Sequence, residues 1–318
     1  MVYYDLPPGP GPFSRTVVTI GNFDGVHLGH RAILTRVAAR ARELGSQPVA
    51  LTFEPHPAKV LRPEVPLPLL TTAEQKFQLL KEAGMEAVVV LPFTREFSNL
   101  SARDFVVQYF VERLRAREVV VGHDYSFGRN REGNIELLKE LGQTLGFTVQ
   151  VVWAVEVNGA VVSSSLIRAM LRLGKVEKAA ELLGRPYSVT GVVILGKGRG
   201  AKLLGIPTAN IQPDNDLLPA SGIYAVMVRW GEEVLPGVAN IGTCPTFDGQ
   251  ESLSLEVHLF DFAGNLYGER LGVEFVARLR EERRFPSVEA LAAQIRADIS
   301  AAKEALALSG KGLKDAAS

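Results

Sequence analysis

The chain has 318 residues, 47% of them hydrophobic and 22% charged, with 35 Lys and Arg balancing 35 Asp and Glu. That length leaves room for two cores, and the zero net charge removes any bulk attraction to nucleic acid or an anionic membrane, so a phosphate site must be local. One cysteine, Cys244, excludes an intramolecular disulfide; residues 1–12 lack a signal-type pattern and no apolar run reaches spanning length, so a cytoplasmic protein without nucleic-acid or membrane partners is expected, a monomer or weak homo-oligomer.

The β-branched run Val17 to Ile20 reads as a buried strand stopping at Gly21. A tight turn with Phe23, Asp24 and Gly25 leads to His27-Leu-Gly29-His30, and Ile33, Leu34, Val37, Ala38, Ala41 and Leu44 then recur at helical spacing. Strand, glycine turn and helix together aim backbone N–H groups and a helix dipole at whatever lies beyond the strand's carboxyl end. His27 and His30, three apart, can face one spot suited to nucleotide phosphates, and Gly29 lets a ligand approach the backbone. The plainer alternative is two histidines capping an ordinary helix.

Further strands are expected over Val49–Phe53, Ala87–Leu91, Val119–Val121 and Phe147–Trp153, alternating with helices that follow Thr71-Thr-Ala-Glu74 (a capping-box pattern), Ser101 and Ile135. Prolines 55 and 57 fix a rigid loop at one strand end, and Gly122-His-Asp124-Tyr-Ser-Phe127-Gly crowds another. The alternation predicts an α/β doubly wound parallel sheet, with ligands at its carboxyl edge.

Two helices, Leu166–Leu173 and Val176–Leu183, precede Gly184-Arg-Pro186, after which short strands and Gly/Pro turns replace long helices. Domains 1–183 and 184–308 are therefore expected, with a small polar tail, 309–318, expected to be disordered. The strand Ser188–Leu195 runs into Gly196-Lys-Gly198-Arg-Gly-Ala-Lys202, a stretch able to cradle phosphates or to act as a plain hairpin. Pro207-Thr208-Ala-Asn210 offers a hydroxyl and an amide oxygen, hard ligands suited to Mg²⁺. Strands are expected at Gly222–Val228 and Gly237–Gly242, with a turn from Thr243. In the alternating strand from Ser252 to Phe262, Glu256 shares a face with Ser254 and His258, as either an ion-paired surface residue or a placed base. His258 reads as structural. Arg278 to Pro286 reads as a charged loop, and Ser287 caps a last helix with Leu291, Ile295 and Ile299 inward.

The pattern Gly21-x-Phe-Asp-x-x-His27-x-Gly-His30 resembles the signature of cytidylyl- and adenylyltransferases, in the fuller form of the prokaryotic bifunctional riboflavin kinase/FMN adenylyltransferases. Thr52-Phe-Glu-Pro-His-Pro57, Val121-Gly-x-Asp124-x-x-Phe127-Gly and Ser163-Ser-Ser165-Leu-Ile-Arg168 resemble further motifs of that family. So does Gly205-x-Pro-Thr208-Ala-Asn210. Ser165 stands where the family usually has Thr, Leu166 where it often has Arg, and Cys244 where it tends to be basic or polar. The resemblance implies a nucleotidyltransferase Rossmann-like domain followed by an antiparallel six-stranded barrel of riboflavin kinase type with a C-terminal helix. It implies that riboflavin, FMN and ATP with Mg²⁺ are handled at two sites. His27 and His30 would be catalytic in adenylyl transfer. Gly21, Phe23, Asp24, Gly29, Ser164, Ser165, Arg168, Gly198, Lys202, Thr208 and Asn210 would hold ATP or its phosphates, and Pro55, Pro57, Asp124 and Phe127 would hold the flavin. Thr208 and Asn210 would hold Mg²⁺, and Glu256 would take the proton of riboflavin's terminal hydroxyl. Two rivals stay open: a single-activity nucleotidyltransferase with a recognition domain, and a flavin-binding sensor without turnover.

Overall fold

Apolar β-branched runs become strands covered on both faces, because a parallel sheet under helices leaves no side to water. The computed structural model describes residues 1–195, 206–245 and 251–315. In it β1 (Val2–Tyr4), β2 (Thr16–Ile20), β3 (Gln47–Glu54), β4 (Ala87–Pro92), β5 (Ala116–Gly122) and β6 (Thr148–Val152) form one sheet in the order β1-β4-β3-β2-β5-β6. Every neighbouring pair is parallel. The edge strand β1 is absent from the sequence reading, since three residues carry no usable periodicity.

Helices α1 (Leu28–Glu43), α2 (Pro57–Leu61), α3 (Ala73–Glu82), α4 (Arg95–Ser98), α5 (Ala102–Phe105) and α6 (Ile135–Leu145) separate these strands, and α5 continues as a π-helical stretch over Val106–Arg113. One sheet face packs Val18, Leu51 and Val119 against Phe105, Phe110 and Leu138. The other packs Val17, Ala50 and Val88 against Leu34, Val37 and Leu80. The capping box of α3 is Thr72 with Gln75, one residue later than the sequence pattern indicates. Thr71 instead accepts a bond from the Gly25 N–H at 3.3 Å. The chain winds one way from β2 through β3 to β4, and the other way from β5 to β6. The order therefore reverses between β2 and β5, and the carboxyl ends of these two strands border the crevice where such sheets bind ligands.

Contacts divide the chain into two units, Met1–Ser163 and Ser164–Ser318; a small hairpin, β7 (Glu156–Val157) with β8 (Ala160–Val161), lies near the end of the first. The second unit opens with α7 (Ser164–Arg172) and α8 (Val176–Leu183). Here the division differs from the compositional break at 183, because these helices are bound to the barrel behind them. Arg278 joins them from the last strand: its backbone N–H donates to Glu177 Oε1 of α8 at 2.9 Å, and its guanidinium to the Leu173 carbonyl behind α7 at 3.5 Å. Gly174, at φ +71°, leaves room for that guanidinium, which would lie 2.8 Å from a Cβ.

Strands β9 (Tyr187–Ile194), β10 (Ala209–Pro213), β11 (Gly222–Trp230), β12 (Glu233–Pro245), β13 (Glu251–Leu259) and β14 (Arg270–Arg280) form a closed barrel in the order β10-β13-β12-β11-β14-β9. Its pairs are antiparallel, and β9 with β10 completes the ring. The last helix, α9 (Val288–Asp315), buries Ala302 with Ile223, Ala225 and Val238. Those residues therefore face outward, and their neighbours Tyr224, Val226, Ala239 and Ile241 fill the barrel. Three boundaries depart from the sequence reading. Arg278–Arg280, read as loop, end β14; β12 continues through Pro245; and α9 is helical past residue 309, as far as Asp315. In each case pairing or helix propagation extends an element through residues of weak intrinsic preference.

Candidate active sites

Between β2 and α1 the chain reverses through Phe23 (φ +51°), Gly25 (φ +82°) and Val26 (φ +40°). Only glycine enters this region without steric cost. Phe23 and Val26 are held there by burial, each 1% exposed. A Cβ on Gly21 would meet the Phe23 ring at 3.1–3.4 Å, so this glycine lets the ring fold back over the strand end. Asp24 is buried, and its Oδ1 accepts from the backbone N–H groups of Leu70 and Thr71 at 2.8 and 3.3 Å. Gly21, Phe23 and Asp24 thus build the turn that carries the histidines.

His27 is the N-cap of α1, its Nδ1 accepting from the His30 backbone N–H at 3.4 Å. In the neutral ring the proton then sits on Nε2. The His30 ring stacks on it with centroids 3.7 Å apart and 17° between planes, and meets the Phe23 ring at 5.3 Å on an edge. Burial, then the neighbouring His27, holds the His30 pKa well below 6.5. Its Nδ1 is buried with no hydrogen-bond partner among the described residues. Gly29 makes the stack possible, because a Cβ there would lie 3.2 Å from His27 Cε1 and Nδ1. Two close imidazoles, His30 neutral at pH 7, stand at the open end of a 16-residue helix with no acid in its first turn. Oriented N–H groups there favour an anion.

Around this crevice, the peptide between Glu54 and Pro55 is cis. Pro57 opens α2, with His56 as its cap. Phe53 meets Phe93 and Phe97 at 5.5 and 5.8 Å, an aromatic group beside the proline loop. Asp124 is exposed after β5, whereas Phe127 is buried in the core, where Tyr125 stacks on it at 5.2 Å. The sequence reading missed Lys76, buried on α3. Its Nζ lies 3.5 Å from Glu54 Oε2 and donates to the Phe53 carbonyl at 3.4 Å. Burial lowers its pKa, against the pull of Glu54 and Asp24. The only hint in the sequence is a lysine on the buried side of an amphipathic helix.

In the second unit Ser164 begins α7, Ser165 is exposed and Arg168 is buried one turn on. Gly198 and Lys202 lie outside the described residues. On the barrel, Glu256 of β13 is paired in register with Asn210 of β10 on one side and Asn240 of β12 on the other. Leu255 and Val257 are buried at 1% exposure in the barrel interior, so Glu256 is on the outer face with its two asparagine neighbours. Thr208 Oγ1 donates to Glu256 Oε2 at 3.4 Å. His258 Nδ1–H donates to the Pro207 carbonyl at 2.8 Å and so pins the turn that presents Thr208. Asn240, placed in a strand by the sequence reading but given no role there, has its Oδ1 buried without a partner among the described residues. A polar side chain inside the apolar run 237–242 is the signal that could have found it.

A doubly wound sheet with histidines at its reversal point, followed by a barrel carrying Thr, Asn and Glu on one face, defines a two-domain nucleotide-dependent transferase. The FAD synthetase family model matches residues 12–166 and the riboflavin kinase model residues 183–306. The bifunctional riboflavin kinase/FMN adenylyltransferase of Pseudomonas fluorescens is 44% identical over 90% of this chain and 92% of its own. That of Escherichia coli K12 is 38% identical over 92% and 93%. A crystal structure described as a macrolide-efflux protein from Streptococcus pneumoniae superposes with TM-score 0.84 and 31% identity, over 93% of this chain and 97% of that one. In the chain described above, no helix among the described residues is long and apolar enough to cross a membrane. The chain belongs to the bifunctional riboflavin kinase/FMN adenylyltransferase family.

Proposed function

We propose that the barrel phosphorylates riboflavin and that the sheet domain then adenylylates the FMN formed, releasing pyrophosphate and giving FAD. The observation that carries the residue assignment is the meeting of Thr208, Asn210 and Glu256 on one barrel face, from segments far apart in the chain. Glu256 is the base: it accepts the proton of the terminal ribityl hydroxyl as that oxygen attacks the ATP γ-phosphate. Thr208 and Asn210 face the nucleotide phosphates. Their hydroxyl and amide oxygen are hard donors that would suit Mg²⁺ held mainly by phosphate and water. When bound, the ion neutralises charge on the transferred phosphoryl group.

In the sheet domain, His27 and His30 with the N-terminus of α1 orient ATP; Ser164, Ser165 and Arg168 of α7 are phosphate-binding residues of adenylyl transfer, a role that rests on the motif they match. Gly21, Phe23, Asp24 and Gly29 shape this pocket, and the flavin rests near Pro55, Pro57, Asp124 and Phe127. Gly198 and Lys202 assist the kinase phosphates. Residues 1–183 and 184–308 form the two functional domains, and the enzyme is a cytoplasmic monomer or weak homo-oligomer.

Incubation with riboflavin, ATP and Mg²⁺, followed by chromatographic resolution of the flavins, tests this reading. FMN is expected first and FAD after it. His27→Ala or Arg168→Ala should abolish FAD and spare FMN, and Glu256→Ala should stop FMN while supplied FMN is still converted. Equal loss, in any one variant, of riboflavin phosphorylation and of FAD formation from supplied FMN refutes separate sites.

A further inference from the structure

Glu256 has two flanks. The strand on one side carries Asn210, preceded by Thr208, the residues read above as facing nucleotide phosphate. In-line transfer sets the attacking oxygen between the base and the γ-phosphate, so the acceptor must approach from the remaining side. That side is β12, where Asn240 stands directly opposite Glu256; paired residues on one face of an antiparallel ladder keep their Cβ atoms about 4.5–5.5 Å apart.

Asn240 is the polar exception in its strand segment, between buried Ala239 and Ile241. Its Oδ1 is shut off from solvent and accepts no hydrogen bond among the described residues. Its neighbours do not serve it: Ser254 Oγ donates to the Gly242 carbonyl at 3.3 Å, and Ser221 Oγ to Glu282 Oε2 at 3.0 Å. A buried acceptor left without a donor is unfavourable, so the site is short of a hydroxyl or N–H group. The acceptor substrate brings hydroxyls: the ribityl chain carries several, of which only the terminal one reacts.

We propose that Asn240 is a binding residue of the kinase site whose Oδ1 accepts a hydrogen bond from an inner hydroxyl of the ribityl chain. It thereby selects a polyol side chain and holds the terminal hydroxyl beside Glu256. This deepens the kinase reading and rests on Glu256 being the base.

The test compares two acceptors, riboflavin and the flavin whose N10 substituent is a 5-hydroxypentyl chain, which keeps the terminal hydroxyl and lacks the inner ones. Their ratio of kcat/KM is measured in the wild type and in Asn240→Leu. A ratio within one enzyme cancels any difference in folded fraction. The wild type should prefer riboflavin, and Asn240→Leu should shrink that preference about tenfold, as one lost hydrogen bond predicts. Asn240→Ser, which keeps a short acceptor, should recover part of it. For a variant too slow to assay, the same ratio is taken from binding, by quenching of flavin fluorescence. An unchanged ratio in Asn240→Leu overturns the proposal, as does a wild type indifferent to the inner hydroxyls. Failure of the underlying kinase reading shows differently: Glu256→Gln would then still phosphorylate riboflavin.

Discussion

Gly29→Ala separates the placement of His27 from the stability of the fold. The added Cβ would lie 3.2 Å from two atoms of the His27 ring, closer than ordinary carbon contacts, so the imidazole must shift by a few tenths of an ångström or leave its stack with His30. Two stability effects oppose each other. Alanine in place of helical glycine contributes about 0.5–1 kcal/mol. Weakening the cap bond, already long at 3.4 Å, costs about as much, at the low end for caps. Unfolding free energy should therefore change by less than about 1 kcal/mol. Activity should not be spared: misplacement by about 1 Å costs on the order of 10²-fold, so a shift of a few tenths should lower FAD formation roughly tenfold. The assay supplies FMN and ATP and follows FAD by chromatography, with riboflavin phosphorylation and the thermal melt as controls. Full FAD formation in the variant refutes the argument, as does a fall of both activities in step with the melting temperature.

Glu256→Gln keeps shape and hydrogen bonding but cannot take a proton, so FMN formation should fall by roughly 10²–10⁴ in a coupled ATP assay while conversion of supplied FMN holds. Asp24→Ala strands the Leu70 and Thr71 amides. Denaturant unfolding of the first unit should show a loss of about 2–3 kcal/mol, and Asp24→Asn, which keeps an acceptor, should lose less. His30 titrates in the unfolded chain near 6.5 but well below that when folded. The unfolded state therefore binds more protons between those values, and the stability contribution, complete above about pH 7, is lost progressively as pH falls from 6.5 toward the lowered folded value. Thermal unfolding from pH 8 to 5 should show this acid-side slope in the wild type and a shallower one in His30→Gln; equal slopes would exclude His30 as its source.

Much of the sheet domain is legible because its information is local. Val17–Ile20 can be little but a buried strand, and the glycines and histidines after it mark a strand–turn–helix unit of the kind that favours an anion before any contact is known. The barrel is less legible. Strands of alternating residues reveal which face Glu256 shares with Ser254 and His258, but alternation within a strand says nothing about which strand lies beside it. Asn240 escaped notice for that reason, although it stands opposite Glu256. Lys76 escaped because the carbonyl and carboxylate it meets come from another element.

Gly29 and Asp24 show the same division inside a motif. Their types and spacing point to a nucleotide pocket, yet the glycine's close neighbour is the His27 ring and the aspartate's partners are backbone amides of a distant loop. Helices α7 and α8 carry the residue pattern of the first half but are fastened to the barrel through Arg278. By itself the sequence determined the chemistry available, the order of the elements and the two-part plan, because periodicity and turn residues act over a few positions. Only the tertiary structure decided which side chains meet, since pairing across strands and docking of helices bring together groups whose separation along the chain bears no relation to their distance in space.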